Sequence, residues 1–150
     1  MGGQRDYNRV VSRIYSLRDA DASLPEIAVV VQRLQDLRDA VITLRDAYRQ
    51  SDGEAGRGPG KAEMGADAPP DRKLILLRLR GVVDQMQAAA LWLDEREIVL
   101  RDIATGLLDF PGEAHGEPIW LCWRLGEASV TAWHPQDEGF AGRRPVDELG

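Results

Sequence analysis

The sequence predicts an α+β fold: a long antiparallel helical hairpin followed by a four-stranded antiparallel sheet. Three observations predict it. Apolar residues recur at alternating steps of three and four in two segments, one before residue 50 and one after residue 71. A stretch rich in glycine and proline separates the two. After Asp94 the period falls to two, and turn-forming residues begin to punctuate the chain.

The first helix is placed over residues 15–50, after a polar N-terminal tail at 1–12. Ser16-Leu17-Arg18-Asp19 offers a helix start. Ser23-Leu24-Pro25-Glu26 offers a better one, because Ser23 can cap, Glu26 can reach back, and Pro25 falls in the first turn. Ile27, Val30, Leu34, Leu37, Val41, Leu44 and Tyr48 then form a heptad seam of the coiled-coil kind. Leu37-Arg38-Asp39-Ala40 recurs seven residues on as Leu44-Arg45-Asp46-Ala47.

Residues 51–70 hold five glycines and three prolines and read as a flexible linker, since they cannot bury enough surface to offset their ordering entropy. The second helix is placed at 71–94 with Asp71 as its cap. Ile75, Leu79, Val82, Met86, Ala89 and Leu93 repeat the spacing of the first seam, as a paired hairpin requires. Leu74, Ile75, Leu76 and Leu77 are apolar on every side of the helix. A two-helix seam cannot cover them all, so they form a candidate interface. Gly81 costs about 1 kcal/mol against alanine in a helix. Close approach of a neighbouring backbone is the expected reason for it.

The sheet is placed over 97–134. Its strands are expected at 97–100, at 106–110 ended by Pro111-Gly112, at 118–125 and at 128–134. Gly126-Glu127 reads as a two-residue hairpin turn, with glycine first as type II′ demands. Residues 135–150 are expected to form an irregular tail.

Composition excludes some functions. The 150 residues carry a net charge of −6, which argues against broad nucleic-acid binding. Only Lys61 and Lys73 among the 19 basic residues are lysines, a bias that a GC-rich genome explains. No apolar run reaches the roughly 20 residues of a membrane span. Cys122 is the only cysteine, so an internal disulfide is excluded and a reducing, cytoplasmic setting is expected.

Residues able to carry chemistry concentrate in the sheet half: Asp109, Glu113, His115, Cys122, Arg124, Glu127, His134 and Arg143. With a two-residue turn, Cys122 faces Thr131 and His134 faces Ile119. Alternation then puts Trp120, Cys122, Arg124, Ser129, Thr131 and Trp133 on one face, with Ile119, Leu121, Trp123, Val130, Ala132 and His134 on the other. In that register Cys122 and His134 cannot share a ligand shell, and Asp109, Glu127 and His134 remain as a metal set. A longer loop or a bulge would reverse the parity. Cys122 also lacks any feature that would activate a thiol, so no catalytic residue is assigned. Trp120 and Trp133 would be directly opposed, either as core between sheet and helices or, with Arg124, as a stacking face for a planar or anionic ligand.

Gly106-Leu107-Leu108-Asp109-Phe110-Pro111, Leu121-Cys122-Trp123-Arg124-Leu125-Gly126-Glu127, Trp133-His134 and Gly139-Phe140-Ala141-Gly142-Arg143 together resemble an uncharacterised family of short bacterial and archaeal proteins. That family is classed as a domain of unknown function. The resemblance extends from about Tyr15 to Pro145 and departs from the family in the linker. It implies Asp109, Cys122, Trp123, Arg124, Glu127, Trp133, His134, Gly142 and Arg143 as motif positions, and it brings no activity or cofactor with them.

Two functions are therefore expected. The first is a non-enzymatic interaction or scaffold protein, a homodimer or a binder of a helical partner, acting through the hairpin at Leu74–Leu77. The alternative is a small-ligand- or metal-binding domain, or an enzyme, with its site on the sheet among Asp109, Trp120, Arg124, Glu127, Trp133, His134 and Arg143.

Overall fold

A computed structural model describes residues 13–55 and 70–149. The expected tail at 1–12 and most of the expected linker lie outside them. Two long helices are followed by a five-stranded antiparallel sheet: α1 is Leu17–Ala55 and α2 is Pro70–Glu95. The strands are β1 Val99–Asp102, β2 Leu107–Ala114, β3 Glu117–Arg124, β4 Ala132–Pro135 and β5 Arg144–Pro145, in spatial order β1-β2-β3-β4-β5. No described helix is long and apolar enough to cross a membrane. The chain divides into two compact units, one of Met1–Arg33 with Ala90–Gly150 and one of Leu34–Ala89.

The unit of Leu34–Ala89 holds the distal parts of both helices. Its seam residues Val41, Leu44 and Tyr48 of α1 and Ile75, Leu79, Val82 and Met86 of α2 are half-buried. The helices are tied by Arg72, whose guanidinium lies 3.9 Å from the centre of the Tyr48 ring and donates to Ser51 Oγ at 3.1 Å. A Cβ built on Gly81 meets nothing within 4 Å, so the expected close backbone approach there is absent.

The other unit holds the start of α1, the end of α2 and the sheet. Helix α1 begins earlier than the better of the two sequence signals. Ser16 is the cap, accepting the Asp19 N–H at 3.0 Å, while Ser23 lies inside the helix and donates to the Ala20 carbonyl. Pro25 is therefore an interior proline, accommodated in a helix of 39 residues. The buried stripe of α1 runs Ala20, Leu24, Ile27, Val31, and Leu108, Phe110, Leu121 and Trp123 are buried on the sheet.

The sheet departs from the expected one at three points. Pro111-Gly112 does not end β2 but lies within it. The β1 ladder stops at Val99 opposite Asp109, and beyond it the Pro111 carbonyl accepts the Tyr15 N–H at 2.8 Å. Backbone N–H and C=O of one strand residue point the same way, so the donor that proline lacks faces this unpaired side. The β2–β3 turn is instead His115-Gly116, with φ of 54° and 80°, the two positive values of a type I′ turn. The tail expected to be irregular contributes β5 and two short 3-10 turns, Phe140–Gly142 and Val146–Leu149.

The third departure decides the site. No two-residue turn joins β3 to β4; residues 125–131 form a longer loop, although Gly126 does turn the chain with φ of 105°. Glu127 closes the loop on itself, its carboxylate accepting the Arg124 N–H at 2.7 Å and the Thr131 hydroxyl at 3.4 Å. Trp123 Nε1 donates to the Glu127 carbonyl, and the Val130 N–H donates to Asp21 on α1 at 2.8 Å. The register becomes Trp120 opposite His134, Leu121 opposite Trp133 and Cys122 opposite Ala132. That is one residue away from the register a tight turn would impose, and one residue exchanges the faces.

Candidate metal centre

Asp109 stands opposite Cys122 in the β2–β3 ladder, and Trp120 stands opposite His134 in the β3–β4 ladder. Paired residues share a face, as do residues two apart. Asp109, Trp120, Cys122, Arg124 and His134 therefore project from one side of the sheet, so the expected separation of Cys122 from His134 is overturned. Trp133 moves the other way. It is buried on the core side opposite Leu121, with Nε1 donating to the Pro145 carbonyl at 3.1 Å, so it does not oppose Trp120.

Asp109, Cys122 and His134 are 3%, 2% and 5% exposed, and one ligand atom from each lies within 4.8 Å of the others. Among the described residues no other group of three histidine, cysteine or carboxylate side chains converges in this way. His134 Nδ1 lies 2.9 Å from the carbonyl oxygens of both Pro135 and Glu138. Facing two acceptors, Nδ1 carries a ring proton, and this fixed orientation directs Nε2 towards Asp109. Nε2 stands 3.5 Å from Asp109 Oδ2. That separation exceeds the 2.7–3.2 Å of an N–H···O hydrogen bond. It matches the roughly 3.3–3.5 Å edge of a tetrahedron whose donors sit about 2.0–2.1 Å from a common ion.

A bulge in β1 leaves Arg101 outside the ladder, and its Nε donates to Asp109 Oδ2 at 2.8 Å. The same guanidinium lies 5.0 Å from the centre of the Trp120 ring. Arg101 thus holds the Asp109 carboxylate as an oriented anion. The Cys122 thiol is pushed far above its ordinary range, first by burial and then by the Asp109 carboxylate, which also accepts its hydrogen bond. The Arg143 and Arg101 guanidiniums pull in the opposite direction with less effect. A thiol so held is no nucleophile by itself, and only a strong electrophile such as a metal ion would displace its proton.

Above this face an open cleft of about 710 Å³ is lined by Arg101, Asp109, Trp120, Arg124 and His134, with Asp137 among its outer residues. Glu127 is not in the cluster, because both of its carboxylate oxygens serve the 125–131 loop. Arg143 is exposed beside Arg124 in a separate hollow. Of the residues expected on the sheet, the fold thus gathers Asp109, Trp120, Arg124 and His134 and leaves Glu127, Trp133 and Arg143 outside. Cys122 joins the cluster once the loop is the right length. Arg101 had no signal in the sequence, being one of many arginines.

A family model described as "uncharacterized conserved protein (DUF2203)" matches residues 13–146. The chain belongs to that family. The matched span takes in every residue of the cluster and of the loop that sets its register. No curated protein and no solved structure matches the chain.

Proposed function

We propose that this protein binds one divalent transition metal, zinc by donor class, through Asp109 Oδ2, Cys122 Sγ and His134 Nε2, and presents the open fourth position to a small ligand in the cleft. The observation that carries the reading is the convergence of three buried donors within 4.8 Å, with His134 Nε2 and Asp109 Oδ2 at a spacing too wide for a hydrogen bond and right for a shared ion. A thiolate, an imidazole and a carboxylate make a donor set that zinc accepts. The supporting contacts also fit: two carbonyls fix the His134 tautomer and Arg101 orients Asp109, as outer partners of metal ligands do. Three protein ligands beside a cleft is the arrangement of zinc sites that exchange a ligand, rather than of closed structural ones. An open position is also what Lewis-acid chemistry requires. Ligand binding is the activity proposed here, and turnover is not.

Metal analysis of natively purified protein, followed by zinc titration of the stripped chain, tests this. One equivalent of zinc per chain is expected. Cys122→Ser, Asp109→Asn and His134→Gln should each weaken zinc by more than the ~100-fold that loss of an outer partner costs. Folded protein that takes up no stoichiometric metal contradicts the reading.

A second reading draws on the hairpin. Leu74 and Leu77 are 47% and 64% exposed, and Ile75 and Leu76 are half-buried, which leaves apolar surface for a second copy or a helical partner.

A further inference from the structure

We infer that the ligand completing this centre is a small oxyanion, a carboxylate or a phosphate group, with Arg124 as its counter-cation. This rests on the metal reading above. Arg124 is exposed at the end of β3, and its guanidinium makes no hydrogen bond or ion pair among the described residues. Its neighbours are committed elsewhere. The Glu127 carboxylate holds the loop, Arg101 holds Asp109, and Arg144 pairs with Glu138 at 3.3 Å. Arg124 lines both hollows on this side of the sheet: the cleft above the cluster and a second depression of about 400 Å³ that also includes Arg143 and Arg144. The fields of Arg101 and Arg143 both reach the Cys122 sulfur.

Charge bookkeeping points the same way. A divalent ion with one thiolate, one carboxylate and one neutral imidazole is a neutral centre, and Asp109 can then no longer fully neutralise Arg101. On the cleft's side of the sheet Arg101 and Arg124 are then the two guanidiniums that face the centre. An anion on the metal's open position would have Arg124 as its local counter-cation, and the planar guanidinium fork matches two oxygens of a carboxylate or phosphate. The rim limits its size. Asp102, Asp137 and Glu138 also line the cleft, so a polyanion such as nucleic acid or a polyphosphate would be repelled.

The test uses the full chain loaded with cobalt(II), whose thiolate charge-transfer band reports the metal and whose ligand-field bands report the fourth ligand. Inorganic phosphate and acetate are titrated in separate arms. A saturable change in the ligand-field bands with either anion is expected, and the responding arm identifies the oxyanion class. Arg124→Ala should weaken that anion about 10- to 100-fold, the loss expected for hydrogen bonds to a charged group, and leave the charge-transfer band in place as proof of an intact site. Arg124→Lys should fall between. A normal charge-transfer band that neither anion accompanies with a ligand-field change overturns this inference and leaves the metal reading standing. Unchanged anion affinity in Arg124→Ala overturns the role of Arg124. Failure of cobalt to bind overturns both.

Discussion

At the scale of the residue, the proposed site depends on one proton and one carboxylate. Burial and the Asp109 carboxylate raise the Cys122 thiol above its ordinary value, so at neutral pH the metal-free chain keeps that proton. Metal binding must release it. Zinc affinity should therefore rise with pH through the neutral range by about tenfold per unit, the slope for one proton released per metal bound, and pH-dependent zinc titration reads it. A flat profile would mean that the thiol is not a ligand. Glu127 provides the opposite control. The sequence offered it as a metal ligand beside Asp109 and His134, yet its oxygens accept from the Arg124 N–H and the Thr131 hydroxyl. Glu127→Ala should lower stability by about 1 kcal/mol in urea unfolding, since the bonds are exposed, while changing zinc affinity less than threefold. A loss comparable to that of Asp109→Asn would restore Glu127 to the ligand set.

At the scale of the element, helices were legible and register was not. The three-four spacing of apolar residues is a local signal, and it located both helices and their half-buried seams. Strand existence was equally local, although Pro111-Gly112 gave a stronger stop signal than the true turn at His115-Gly116. Pro111 is tolerated only because β1 ends before it, a fact of neighbouring strands that no local pattern contains. The register of β3 against β4 depends on the loop at 125–131, and that loop is held by Asp21, more than a hundred residues away in sequence. A local turn signal at Gly126-Glu127 was therefore correct about a turn and wrong about its length. The error moved every side chain of β4 to the wrong face, and with it His134. Gly81 is a simpler helical case. Nothing occupies the space where its Cβ would lie, so Gly81→Ala should stabilise the chain by about 1 kcal/mol, raising Tm by about 2–4 °C in a calorimetric scan.

At the scale of the whole molecule, the two compact units separate the two functional readings. The metal cluster and its cleft lie entirely within the unit that carries the sheet, whereas Leu74 and Leu77 belong to Leu34–Ala89. Self-association through the hairpin should therefore be independent of metal. Sedimentation at tens of micromolar is expected to give the same dimer with and without zinc, and a clean monomer would remove that reading without touching the site. The central claim is the identity of the three donors, and zinc-edge X-ray absorption of the zinc-loaded chain tests it most directly. One sulfur scatterer at about 2.3 Å with nitrogen and oxygen neighbours at about 2.0–2.1 Å is the predicted shell, and its sulfur should vanish in Cys122→Ser. A shell of nitrogen and oxygen alone in the unsubstituted protein would contradict the account.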